Sequence, residues 1–175
     1  MNLMQARNVF GAVSLALADE ILHDTTLHAP EAGPAGSALA LIGHRPGLSI
    51  RTLAESVALT HAGAVRLVDR LESEGLIERR THATDGRTRA LYLTEAGEKA
   101  SSSVLQARDS VLERGFAALT KDEQQMLGQL AERMLRAAVR DEDHSVRVCR
   151  LCDISSCPDC PVDAELKSRQ CASAA

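Results

Sequence analysis

The chain has 175 residues, 45% hydrophobic and 25% charged, enough for one ordinary soluble domain to bury a core without disulfide or metal staples. Three aromatic residues, Phe10, Tyr92 and Phe116, with no tryptophan, argue against functions built on stacking platforms, such as single-stranded nucleic acid binding or a flavin cleft. The net charge of −4 argues against a chain that is polycationic throughout, and five cysteines confined to the stretch after residue 148 exclude a chain-wide disulfide framework.

Residues 3–22 space Leu3, Ala6, Phe10, Val13, Leu17 and Ile21 three or four apart, the pattern of an amphipathic helix. Ala16-Leu17-Ala18 lends this stretch a loose likeness to a secretory leader. Asn8 and Ser14 interrupt the apolar run, however, and the helical spacing continues into Ile21 and Leu22, so a cytoplasmic chain is expected. No apolar run reaches the roughly 18–20 residues of a membrane span, and no membrane partner is expected. Residues 25–36 hold two prolines and two glycines and read as a loop.

A short helix is predicted from Ser37 to about His44, stopped by Arg45-Pro46-Gly47 because proline disfavours helix in the residue before it. Ser49 is a predicted N-cap for a helix carrying Leu53, Ala54 and Val57. Thr60 repeats the signal for a second helix with Ala64, Val65, Leu67, Val68 and Leu71 on its inner face, ended by Gly75. Two short helices joined through Ala58 and Leu59 make a helix-turn-helix candidate.

Leu76 to Arg80 and Ala90 to Leu93 read as two strands joined across the tight-turn pair Asp85-Gly86. Residues 79–89 carry four arginines against Asp85 alone, whereas residues 95–143 carry seven bases against ten acids, so a small basic element sits on an acidic body. Thr94-Glu95 opens a helix to about Leu119. Thr120-x-x-Glu123 is a capping box for another, whose Met126, Leu127, Leu130, Met134, Ala138 and Val139 share one face. The ordered part is expected to stop near residue 144, leaving 145–175 as a cysteine-rich tail.

Leu53-Ala54-Glu55, Leu59-Thr60, the run Val65 to Glu72, the run Gly75 to Arg80, Asp85-Gly86-Arg87 and the run Leu91 to Gly97 follow one another at a specific spacing. In that order they make residues 1–143 resemble the MarR family of winged helix-turn-helix transcription regulators. The resemblance implies a mainly α fold with a small β-hairpin wing and with N- and C-terminal dimerisation helices. Those helices would occupy 1–24 and 95–144, and the DNA-binding lobe 37–94 with its wing at 76–93. It also implies a homodimeric repressor that binds a pseudo-palindromic double-stranded operator, needs no cofactor to do so and leaves it on binding a small-molecule effector. No nucleophilic triad spacing, phosphate loop or paired-carboxylate site supports an enzyme instead.

In such a fold the first turns of the second helix face base edges in the major groove while phosphate contacts hold the register. The candidate readers are then Thr60, His61, Ala62, Gly63 and Arg66. Arg66 suits a bidentate contact to guanine, and His61 suits either a base or a phosphate. Ser49 joins the candidate contacts, as does Arg70, for which Asp69, Glu72 and Glu74 offer competing partners. Arg87 at the wing tip is expected to enter or border the minor groove, with Asp85 positioning the wing and Arg79, Arg80 and Arg89 contacting phosphate. Ala58 stands where the family commonly has a turn glycine, so an altered or strained turn is expected there.

The cysteine segment lies outside the resemblance. Cys149, Cys152, Cys157 and Cys160 form two C-x2-C pairs, and Cys171 stands apart. Four thiolates so spaced are candidate ligands for a structural zinc ion, although the gap between pairs is short for common zinc modules and does not fit the ferredoxin run. A thiol switch, with Arg147 and Arg150 favouring thiolates, and ordinary exposed thiols are the other two readings. In the first two, this cluster would be the regulator's metal or redox sensor.

Overall fold

A computed structural model describes residues 2–29, 33–81 and 89–173. Helix α1 (Leu3–Leu27) leads into α2 (Ala35–His44), a two-residue strand β1 (Leu48–Ser49), α3 (Ile50–Ser56) and α4 (His61–Ser73). Strands β2 (Ile77–Thr81) and β3 (Arg89–Leu93) follow, then the long helices α5 (Glu95–Phe116) and α6 (Lys121–Ala138). Short α7 (Glu142–Val148), a 3-10 turn at Ile154–Ser156 and α8 (Pro161–Ser173) complete the chain. No described helix is long and apolar enough to cross a membrane.

Helix starts fall where side-chain oxygens accept the free amides of a first turn. Asn2 accepts from Gln5, Ser49 from Thr52, Thr60 from Gly63, Thr94 from Gly97 and Asp141 from His144. At Thr120 the capping box is complete, because Glu123 reaches back to the Thr120 amide.

The three strands form an antiparallel sheet in the order β1-β3-β2. Ile77 pairs with Leu93, Arg79 with Leu91 and Thr81 with Arg89, while Leu48 pairs with Leu91 from the other side. Leu39, Leu41, Ile42, Leu53, Leu67, Val68, Leu71, Ile77 and Leu91 fill one aliphatic core between the sheet and helices α2, α3 and α4. The arrangement is a winged helix-turn-helix carried on long helices, with α1 lying along α5.

Three readings change. The expected loop at 25–36 begins later, because α1 continues through Leu27, and Thr25 donates its hydroxyl to the Ile21 carbonyl at 2.7 Å within the helix. At Gly36 a Cβ would stand 3.0 Å from the Thr25 carbonyl oxygen, so α1 and α2 meet at a glycine. Strand β1 is too short for periodicity to reveal, and it exists through its pairing with β3 and the Gly47 amide, which donates to the Leu91 carbonyl at 2.8 Å.

The expectation that order ends near residue 144 is wrong. Val146 on α7 is buried in the same core as Leu53, Leu151 packs with Val104 and Ala40, and Val162 on α8 is buried as well. Arg169 on α8 donates to the carbonyls of Val139, Arg140 and Arg136, satisfying acceptors at the C-terminal end of α6. The segment therefore folds back as short helices over the helix-turn-helix and α6.

Candidate nucleic-acid interface

The helix-turn-helix is built from α3, the turn Val57 to Thr60 and α4. Ala58 takes a left-handed φ of 56°, the conformation a glycine would adopt without a Cβ penalty, so the expected strain is located at that residue. Thr60 then caps α4 by accepting the Gly63 amide at 3.1 Å. A Cβ on Gly63 would meet Thr60 Oγ1 at 3.2 Å, so the glycine lets the capping turn close tightly.

Along α4, Ala64, Leu67, Val68 and Leu71 are buried, and the opposite face presents His61, Ala62, Arg66, Asp69 and Arg70 to solvent. This is one amphipathic helix with a dry face on the core and a wet face in a single plane. Arg66 lies in the second turn of that face, fully available, and no described residue pairs with it. Ser49 is half-buried and its hydroxyl is engaged with Thr52 as the α3 cap, at 3.1 Å to the amide and 2.9 Å to Thr52 Oγ1.

The arginines at the wing base divide into different roles. Arg79 on β2 is largely covered, and its guanidinium spans two carboxylates of α4, Asp69 at 2.5 Å and Glu72 at 2.8 Å. It braces the wing against the presenting helix. An Arg79→Ala variant should lose about 1–3 kcal/mol of stability, since two hydrogen bonds to charged groups disappear and the carboxylates are left facing each other. Thermal unfolding checks this, and Arg79→Lys should not restore it, because one ammonium lacks the fork that reaches both partners.

Arg80 is exposed, pairs with Glu78 and lies over the Tyr92 ring with 4.6 Å between guanidinium carbon and ring centroid. Arg89 is exposed at the start of β3. Asp85 and Arg87 lie outside the described residues. The sequence offered Asp69 and Glu72 as partners for Arg70; their pairing with Arg79 follows from the packing of β2 on α4.

A second cluster forms at the C-terminal segment. Cys149, Cys152, Cys157 and Cys160 line one cavity of about 370 Å³, together with His44 at the end of α2. His44 escaped the sequence reading because it lies far from the cysteines along the chain. Burial pushes its imidazole pKa down, and its Nε2 is buried without a hydrogen-bond partner among the described residues. A hydrogen bond between the Cys149 and Cys152 side chains favours the Cys152 thiolate and pushes the Cys149 thiol up. Among the described residues no group of three or more His, Cys, Asp and Glu side chains is arranged to hold a metal ion, and all five cysteines are free. Cys171 is exposed on α8, away from the cavity lining.

Comparison with known proteins agrees with this architecture. The model of the MarR family matches residues 33–88. The transcriptional regulator HosA of Escherichia coli O127:H6 is 31% identical over 102 residues, spanning 58% of this chain and 76% of HosA. Among solved structures, the PcaV transcriptional regulator of Streptomyces coelicolor in complex with its natural ligand is 28% identical, with a TM-score of 0.51 over 73% of this chain and 91% of PcaV. The transcriptional repressor CouR bound to a 23-mer DNA duplex shares the fold at 20% identity, with a TM-score of 0.55 over 73% of this chain and 89% of CouR.

Proposed function

The chain belongs to the MarR family of DNA-binding transcription regulators, and from that premise we propose that it is a homodimeric, cytoplasmic repressor that binds a pseudo-palindromic operator and leaves it on binding a small molecule. The observation that carries the reading is the solvent face of α4, where Thr60, His61, Ala62 and Arg66 are presented together while the opposite face is locked into the core. In the major groove this face puts Arg66 within reach of a guanine edge, and His61 near a base or phosphate. Arg80 and Arg89 supply phosphate contacts, and Arg87, outside the described residues, is the proposed minor-groove contact. Arg79 acts one step back, by holding the wing at a set angle to α4.

Dimerisation is supported by the apolar side chains the single chain leaves bare. Helix α6 has no buried residue, yet Met126, Leu130 and Met134 recur on one face at helical spacing; on α1, Leu3, Phe10 and Val13 are also exposed. An apolar surface of this extent marks a contact site. A symmetric dimer would cover it and set the two α4 helices at a fixed separation.

The effector reading is supported by a cavity of about 280 Å³ bordered by Leu22, Thr25 and Thr26 of α1, Ser37 of α2, Val57 of the helix-turn-helix and Arg150. A ligand there touches both the α1 scaffold and the DNA-binding lobe. It can shift their relative position by as much as its affinity differs between the two arrangements, typically about 1–3 kcal/mol.

Selection of bound genomic fragments, followed by titration of the selected operator, tests the reading. Arg66→Ala should weaken operator binding about 5- to 150-fold, equivalent to roughly 1–3 kcal/mol, and relax preference at one base pair per half-site. Its thermal stability should match the parent's. Equal losses on all sequences would make Arg66 a phosphate contact, and no loss would remove α4 from the interface.

A further inference from the structure

We infer that Cys149, Cys152, Cys157 and Cys160 bind one zinc ion in a closed four-thiolate site that fastens the C-terminal segment to the helix-turn-helix. The inference is independent of the operator reading, since it concerns a part of the chain outside the matched family region.

Four observations converge on it. Each cysteine pair sits in a local turn. The Cys152 amide donates to the Cys149 carbonyl at 2.9 Å, closing a tight turn after α7, and the two cysteine side chains are hydrogen-bonded to each other. The second pair lies between the 3-10 turn, where the Cys157 amide donates to the Ile154 carbonyl at 3.2 Å, and the first turn of α8, where the Cys160 carbonyl accepts from Ala164 at 3.0 Å. Between the pairs, Asp153 accepts from the hydroxyls of Ser155 and Ser156 at 2.6 Å each, which folds the short connection back on itself.

Both pairs line the same cavity, whose remaining walls are largely apolar, with Leu41, Leu135, Val146 and Ile154, and also include Arg45 and Asp163. Thiolates in such an apolar setting need a cation, and a tetrahedral ion with four sulfur ligands is the arrangement that satisfies all of them at once. His44 lines that cavity too, with its buried Nε2 unpartnered among the described residues. A metal-bound thiolate is the acceptor that such a ring nitrogen would serve as a supporting donor. Apart from the Arg169 bonds to the end of α6, the segment is held by little apolar burial. Past residue 140 its buried apolar side chains among the described residues are Val146, Leu151 and Val162, a small core of the kind that metal ligation stabilises.

Binding requires the thiols, now two separate pairs facing one space, to rotate inwards. Zinc displaces their protons to solvent, with no change of oxidation state at sulfur or metal. Because Val146 of α7 shares a core with Leu53 of α3, the ion would hold this segment on the first helix of the DNA-binding motif.

The test uses the full chain purified without chelators. Elemental analysis should find one zinc per chain, and cobalt(II) added to metal-free protein should give sulfur-to-cobalt charge transfer together with intense tetrahedral d–d bands. Cys171→Ser should keep one zinc per chain, and Cys152→Ser should fall well below one. If Cys152→Ser does not fold, the cobalt spectrum of the unaltered chain still decides. Failure to take up zinc or cobalt, cysteine pairs isolated as disulfides, or iron with labile sulfide in place of zinc would each overturn the inference. The stoichiometry is read without DNA, so failure here leaves the operator reading standing, and failure of operator binding leaves the zinc count unaffected.

Discussion

A Gly97→Ala variant is expected to lose at least about 3 kcal/mol of stability, at the upper end of what overpacking by one methyl costs. Gly97 is buried in the first turn of α5, and a Cβ there would fall 1.9 Å from the Leu76 carbonyl oxygen and 2.9 Å from its carbon. Backbone cannot step aside as a flexible side chain can. Relief requires the entry to β2 to move off α5, and that movement breaks a tightly tied corner. The Thr94 amide donates to the Leu76 carbonyl at 3.0 Å, the Thr94 hydroxyl donates to the Gly75 carbonyl at 2.6 Å, and the same oxygen accepts the Gly97 amide at 3.1 Å.

For a chain of this size 3 kcal/mol corresponds to a fall in Tm of roughly 6–12 °C, measurable by circular dichroism at matched protein concentration. Gly128→Ala is the control. It lies on α6 with nothing within 4 Å of a built Cβ, so alanine there should be neutral or stabilising by up to about 1 kcal/mol. A Gly97→Ala protein melting within about 2 °C of the parent would show that the corner can open at little cost.

Leu130→Asp should dissociate the proposed dimer. Leu130 is 45% exposed in the single chain and lies between Met126 and Met134 on the bare face of α6. In a two-fold interface one substitution introduces two carboxylates, both removed from water without a partner. We expect the dimer dissociation constant to rise at least about a hundred-fold, equivalent to roughly 3 kcal/mol, read by sedimentation at several concentrations. Operator affinity should fall with it, because each monomer then holds a single half-site, whereas Leu130→Met should preserve both properties. A Leu130→Asp protein that sediments as the parent does would place the interface elsewhere and leave the α6 face unexplained.

The folding pattern and the exposed face of α4 were legible in the sequence because they depend on local rules. Ser49, Thr60, Thr94 and Thr120 are each followed by a helix whose first free amides they accept, and each caps a helix in the structure. The apolar spacing of Ala64, Leu67, Val68 and Leu71 places Arg66 on the opposite side of α4 by helical geometry alone. Ala58 was marked by the family resemblance, which puts a glycine at that turn position, and its left-handed φ is the conformation a glycine there would take.

Other features depend on residues distant in sequence meeting in space. Arg79 reads as one of four basic residues near the wing, and only the packing of β2 on α4 commits its guanidinium to Asp69 and Glu72. The C-terminal segment reads as a tail because it is short, polar and rich in cysteine. Its helices form because Val146, Leu151 and Val162 find a core supplied by the rest of the chain, which no local propensity encodes.

The clustered cysteines show the division most clearly. By itself the sequence determined that four thiols come as two pairs at a fixed spacing, a covalent fact of the chain. Only the tertiary structure decided that both pairs face one cavity, that His44 from the end of α2 borders it, and that the segment bearing them rests on α3. The physical reason is that caps and periodicity act over a few residues, whereas burial and charge pairing are set by neighbours that the folded chain alone brings together.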